Sequence, residues 1–220
     1  MSKIRSWGLI NRISQKTIIV EDQFNNINEK NNIPYGNGRS YGDSCLSHNH
    51  LIKKNKFIKL NQKNGILECS SNITLYEALI EIVPKGWIFY VCPGTSFATI
   101  GGMISADAHG KNHEKYGTFT DYVQQFTLTH PKKKDLICSK NKNADLFYAT
   151  CGGLGLTGFI TNCKIKLRKI KTTCIRSDSI KFSNLKNLLD KFDKDKDEFK
   201  VAWIDGLNLS NNYKIIYESA

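Results

Sequence analysis

No stretch of these 220 residues approaches the roughly 18 consecutive apolar residues that cross a bilayer as a helix. The start, Met1 to Asn11, lacks the apolar core of a secretory signal, so a cytoplasmic location is the expectation. The seven cysteines (45, 69, 92, 138, 151, 163 and 174) include no Cys-x-x-Cys pair. Their odd number and their spacing argue against a disulfide framework and against a tetrahedral zinc site. They are expected as reduced, mostly buried small side chains. Arginine is also scarce, with Arg5, Arg12, Arg39, Arg168 and Arg176 the only ones among 32 basic residues. A formal charge of +12 would otherwise suggest a nucleic-acid surface. Arginine, however, is the residue suited to bidentate phosphate and base contacts, and lysines scattered among asparagines read as a solvated surface. Nucleic acid is therefore not an expected partner, whereas attraction of anionic lipid headgroups or of a phosphorylated substrate stays open.

Glycine is what the chain has in telling places. The run Pro34-Tyr35-Gly36-Asn37-Gly38-Arg39-Ser40-Tyr41-Gly42-Asp43-Ser44 follows a short apolar stretch. A second small-residue segment runs from Cys92 to Ala106, with Gly94, Gly101 and Gly102, and a third cluster holds Gly152, Gly153, Gly155 and Gly158. Glycine-rich turns let backbone N–H groups converge on a pyrophosphate because no Cβ holds the chain away from its oxygens. Two or three such segments suggest a cradle for a large phosphorylated cofactor. The first has G-x-G-x-x-x-G spacing, not the G-x-G-x-x-G of a Rossmann turn, and it lacks the Gly-Lys-Ser/Thr ending of a P-loop. Its bland alternative is an ordinary turn between strands.

Periodicity places the rest. Thr17 to Val20 and Ile33 to Tyr35 read as short strands, and Phe57 to Leu60 and Ile66 to Cys69 as a pair around Asn64-Gly65. Apolar Leu75, Ala78, Leu79 and Ile82 predict a helix from Thr74 to the stop at Pro84 and Gly86. Val123 to Thr129 reads as a strand, Asn143 to Thr150 as a short helix, and Phe159 to Leu167 as a half-buried strand by its alternation. Phe182 to Phe192 is an amphipathic helix candidate, Asp193 to Glu198 a charged turn and Val201 to Asp205 an apolar strand. No internal repeat is present, and the lysine run at 132–134 is the nearest approach to a low-complexity tract. His109 and His113, four apart, enclose Gly110-Lys111-Asn112, which supplies neither the acid nor the helical run of an H-E-x-x-H zinc site. No metal is expected there. His109 and Lys111 read instead as polar groups at the end of a cofactor loop, the alternative being a surface turn with a hydrogen-bonded histidine.

These segments carry a resemblance. Pro34 to Ser44, Pro93-Gly94-Thr95 through Gly101-Gly102, Ala108-His109-Gly110-Lys111-Asn112-His113, and Ala144-Asp145-Leu146-Phe147 through Gly158 resemble the FAD-binding domain of the vanillyl-alcohol oxidase and p-cresol methylhydroxylase superfamily. Within it they are most similar to the decaprenylphosphoryl-β-D-ribose 2-oxidase branch. The likeness covers about residues 5 to 205 in order, and His-Gly-Lys-Asn-His is its most specific motif.

The resemblance implies an α+β FAD-binding domain of the p-cresol methylhydroxylase type over residues 1–170. It would have two α/β subdomains, about 1–62 and 63–170, with residues 171–220 beginning an incomplete substrate (cap) domain. It implies cofactor contacts at Pro34, Tyr35, Gly36, Asn37, Gly38, Arg39, Ser40, Tyr41, Gly42, Asp43 and Ser44. Further contacts are implied at Gly94, Thr99, Ile100, Gly101, Gly102, Ala106, Asp107, Ala108, His109 and Ile160. Several superfamily oxidases attach FAD through a histidine in the first loop, where this chain has Arg39, so non-covalent FAD is expected. Tyr41 and His109 are expected to line the flavin, and Lys111 to bind an anionic or hydroxyl-rich substrate. The implied activity is that of an oxidoreductase turning a secondary alcohol of a sugar or polyprenyl-phosphoryl sugar into a ketone. A nicotinamide-dependent reductase as partner also follows from the resemblance, whereas peripheral membrane contact is the expectation left open by the basic surface. A sugar-lactone or alditol oxidase is the fallback. Relatives carry a complete second domain, so the chain reads either as a fragment of a roughly twofold longer enzyme or as a naturally short flavin-binding protein without turnover.

Overall fold

The structure is a computed structural model that describes residues 4–9, 16–20, 32–130, 133–207 and 214–220. Arg12 and Lys132 lie outside the described residues.

Three sheets follow one another along the chain. Strands β1 (Lys16–Val20), β2 (Asn32–Pro34) and β3 (Asn49–Lys53) form a parallel sheet in the order β1-β3-β2. The central strand β3 falls in a stretch with no apolar alternation, because it buries polar His50 and Lys53 as well as Leu51.

Strands β4 (Ile58–Asn61) and β5 (Ile66–Ser70) form the anticipated antiparallel pair. The hairpin closes at Gly65, whose φ of +66° and contact with the Trp87 ring leave no room for a side chain. Helix α1 (Leu75–Ile82) begins where expected: the Thr74 hydroxyl accepts from the Glu77 amide, and the Glu77 carboxylate accepts from the Thr74 amide. Strand β6 (Trp87–Phe89) leads to a six-residue helix α2 (Ile100–Ser105) inside the second glycine segment. Two glycines disfavour a helix there. The Thr99 hydroxyl capping the Gly102 amide, together with burial of Ile100, Met103 and Ile104, outweighs them.

A one-turn helix α3 (His113–Tyr116) precedes β7 (Val123–His130) and β8 (Lys133–Ser139). Helix α4 (Ala144–Thr150) and β9 (Phe159–Lys169) complete a six-stranded antiparallel sheet ordered β4-β5-β9-β7-β8, with β6 paired to the end of β9. Helices α1, α2 and α4 pack on its apolar face around Leu67, Ile82, Phe89, Ile104, Phe126, Phe147 and Ile165.

Strands β10 (Asp178–Phe182), β11 (Lys200–Ile204) and β12 (Ile215–Ser219) form a third sheet, ordered β10-β12-β11, on which α5 (Leu185–Lys194) packs. Phe182 ends a strand where the periodicity predicts the start of a helix. The helix starts at Leu185 because the Asn184 side chain accepts from the Asn187 amide, and it runs through Asp193 and Lys194 of the predicted charged turn.

The carboxylate of Asp195 is 5% exposed and ties α5 to β12. The Lys191 ammonium at 2.7 Å holds its pKa well below the usual carboxylate range, helped by the Asp197 amide and the Tyr217 hydroxyl. A depressed carboxylate stabilises the fold fully above its unfolded value of about 4, and that contribution disappears as pH falls through the lower folded value. The parent chain should therefore lose stability steeply below about pH 4, and Asp195→Asn should flatten that part of the profile. Urea midpoints from pH 6 down to pH 2 check this; identical slopes would refute it.

Candidate functional site

The three glycine segments meet at one place. The first loop continues the β2 ladder for one residue, where the Tyr35 amide donates to the Leu51 carbonyl at 2.9 Å, and then turns through Gly36 to Ser44. Asn37 Nδ2 donates to the Phe97 carbonyl of the second segment at 2.9 Å. Gly36 lies so close to Thr99 that a Cβ would stand 2.4 Å from its Oγ1. The third cluster closes the group. A Cβ on Gly155 would approach Pro34 at 3.2 Å, and the Gly152 and Leu154 amides donate to the Ile104 and Ser105 carbonyls at 3.1 and 2.9 Å.

Within this junction the amides of Gly36, Asn37, Gly38, Arg39 and Ser40 donate no hydrogen bond among the described residues. A Cβ on Gly42 or Gly94 would meet nothing within 4 Å. Main-chain donors free of protein partners among the described residues and beside open space are available to a large anionic ligand.

Asp107 turns the chain out of α2 with φ +42°, and its carboxylate accepts from the Thr120 hydroxyl. Neighbouring Cys151 has its thiol pushed up to about 11 by burial and then by the Asp107 charge. Burial likewise pushes Cys92, beside Gly110, up to about 11. Neither is a thiolate nucleophile. Ala106 and His109 are exposed and Ala108 half-buried. His109 makes a β-bridge to Thr118, and its ring stands edge-on to His113 with centroids 6.0 Å apart. Ile160 packs in the core, so only its main chain can face a ligand.

Lys111 sits at the seam with the third sheet. Its carbonyl accepts from the Lys200 amide at 3.2 Å, and its ammonium lies 5.4 Å from the centre of the Trp203 ring. Next to it, Asn112 is 1% exposed and donates to the Tyr90 carbonyl and to Glu198, whose carboxylate also pairs bidentately with Arg168. Lys200 pairs with Glu114 at 2.7 Å. Tyr41 stands apart at 82% exposure, and no hydrogen bond, ion pair or ring contact among the described residues joins it to His109 or Lys111.

Sequence reasoning missed the partners of these groups: Phe97 and Thr99 as neighbours of the first loop, Glu198 and Trp203 as neighbours of Asn112 and Lys111. Trp203 in its apolar strand was the one local signal among them. A cavity of about 310 Å³ lies elsewhere, lined by residues including Tyr122, Gln124, Lys140 and Lys166, and takes in none of these site residues.

Comparisons with known proteins show the family of the chain. Residues 22–139, more than half of the chain, match the family described as FAD binding domain. The chain is 29% identical over 185 residues to the decaprenylphosphoryl-beta-D-ribose oxidase of Mycolicibacterium smegmatis, covering 80% of this chain and 40% of that protein. It is 27% identical over 122 residues to a D-lactate dehydrogenase of Anaerostipes hadrus, covering 53% and 26%. With cytokinin dehydrogenase 3 of Arabidopsis thaliana the figures are 34% over 86 residues, covering 39% and 16%. The chain thus spans at most 40% of the length of these relatives.

Proposed function

The chain belongs to the FAD-binding domain family, and from that premise we propose that it is the flavin-carrying part of an oxidoreductase that oxidises a secondary alcohol of a sugar or sugar-phosphate lipid. The observation that carries this reading is the junction itself, where the five amides from Gly36 to Ser40 have no partner among the described residues and stand opposite the second glycine segment. Those amides would hold the diphosphate of FAD, with Gly94, Thr99 to Gly102 and Ala106 to His109 contributing main chain. When bound, FAD supplies the redox chemistry by accepting hydride from the alcohol carbon.

The protein's own groups position the substrate. His109 is exposed at the end of the second segment and can take or hold the proton of a substrate hydroxyl. Lys111 offers a point charge for a phosphate or hydroxyl oxygen, and Trp203 flanks it with an apolar face. Residues 1–170 form the FAD domain in this reading and 171–220 the start of a substrate-covering domain. A nicotinamide-dependent reductase would consume the ketone product. FAD is held without a covalent bond, because Arg39 occupies the first-loop position where the tethered branch has histidine.

An absorbance spectrum of purified protein should show the flavin bands, and acid precipitation should leave all flavin in the supernatant. In active preparations Lys111→Ala should raise KM for a phosphorylated sugar substrate about tenfold or more, the worth of a charged hydrogen bond, with kcat changed less. An unchanged KM would remove Lys111 from the substrate site. A colourless chain with no affinity for FAD would defeat the reading as a whole. A flavin-binding protein without turnover is the second reading, favoured by the exposure of Trp203, Ile204 and Ile216 on the third sheet. It predicts a yellow protein that no sugar alcohol bleaches.

A further inference from the structure

The family match begins at residue 22, yet residues 4–9 are wired to the first glycine loop. The Tyr35 hydroxyl donates to the Arg5 carbonyl at 2.9 Å and accepts from the Arg5 amide at 3.3 Å. The Trp7 amide donates to the Ser40 carbonyl at 3.2 Å. Gly38, at φ +61°, passes so close that a Cβ would lie 2.1 Å from the Arg5 carbonyl oxygen. The Arg39 guanidinium carbon stands 5.4 Å from the centre of the Trp7 ring and 5.1 Å from that of Phe97. Phe97 in turn is fastened to the first loop through Asn37. Three stretches of chain distant in sequence converge on one cation.

Trp7 and Phe97 are each 54% exposed, so the core does not hold their rings in place. Arg39 Nε is buried without a hydrogen-bond partner among the described residues. A buried donor left unmade is tolerated where the rest of the group is fixed by something else, and two aromatic faces can fix a planar guanidinium.

We propose that Trp7, Arg39 and Phe97 form a clamp that holds the N-terminal segment and both glycine loops in one arrangement, making Arg39 a positioning residue for the diphosphate of FAD. This rests on the flavin reading above. The amides of Gly36 to Ser40 can face one anion together only if the loop keeps its shape, and a site already in shape avoids the ordering cost at binding. The clamp uses the flat fork of arginine, which the flexible ammonium of lysine does not reproduce.

The full chain, freed of flavin, is titrated with FAD and separately with ADP, which carries the diphosphate without the flavin ring. Trp7→Leu should weaken both ligands about threefold and Arg39→Ala about tenfold, the size of one and of two exposed cation–π contacts. The double variant should bind no worse than Arg39→Ala, because both changes break one unit. Arg39→Lys should bind nearly as poorly as Arg39→Ala. A purely structural contact would instead lower the thermal midpoint and leave both affinities alone. Parent-like affinity in Arg39→Ala or Arg39→Lys, or a double variant whose loss is the product of the single losses, overturns the clamp. Trp7→Leu changes an exposed side chain and keeps the test open should Arg39→Ala fold poorly, since parent-like affinity in that variant alone also overturns it. A parent chain that binds neither ligand removes the flavin reading itself, and the clamp's role with it.

Discussion

Gly36→Ala is expected to yield a folded chain that has lost most of its affinity for FAD. The added methyl would stand 2.4 Å from Thr99 Oγ1, closer than atoms tolerate, and Thr99 cannot move aside freely. It is 5% exposed and its hydroxyl caps α2 through the Gly102 amide at 3.2 Å. The two loops must therefore separate. Overpacking of this kind costs about 1–3 kcal/mol. Expressed on binding, that is a loss of about 5- to 150-fold in affinity. Titrating flavin-free protein by quenching of FAD fluorescence measures it, with Gly206→Ala as a control whose methyl would meet nothing within 4 Å. Parent-like affinity in Gly36→Ala would mean that the close approach of the loops is irrelevant to the cofactor.

Phe147→Ala should be among the most destabilising single changes in the chain. The ring is 1% exposed and stacks on Phe126 with centroids 5.1 Å apart and planes 13° from parallel. Removing it loses the transfer free energy of the ring and leaves a cavity under α4, about 3–5 kcal/mol together. For a domain of this size that fraction of total stability shows as a large drop in the urea midpoint at unchanged slope. Because α4 runs directly into Cys151 and the third glycine cluster, the same change should also loosen the Gly152 and Leu154 bonds to the end of α2. A loss below about 1 kcal/mol would contradict this packing of α4.

The contrast between these two sites explains how much could be read from the residues alone. Helix α1 was legible because Thr74, Glu77 and the apolar spacing from Leu75 to Ile82 are local signals that agree with its packing. Strand β9 was legible because Phe159, Cys163, Ile165 and Leu167 alternate along one face, interrupted only by Thr161. Strand β3 was not, since His50 and Lys53 are buried there and erase the alternation. Helix α2 was hidden by its two glycines, which local preference counts against it and tertiary burial overrides. Strand β10 is exposed along almost its whole length and carries no hydrophobic pattern to detect.

The glycine loops could be named from spacing and resemblance. What they touch could not. Contacts such as Arg39 with Trp7, Asn37 with Phe97 and Asn112 with Glu198 join residues 32, 60 and 86 positions apart, and no local preference encodes them.

Glu198 has a mechanical consequence. It receives Arg168 and Asn112 from the six-stranded side, two residues before the Lys200 amide reaches the Lys111 carbonyl. Among the described residues, Glu198, Lys200 and Trp203 join the third sheet to the six-stranded side at this margin. Lys111 is thereby tied on two sides, its carbonyl to the Lys200 amide and its ammonium to the Trp203 ring, so whatever loosens this margin also loosens the lysine.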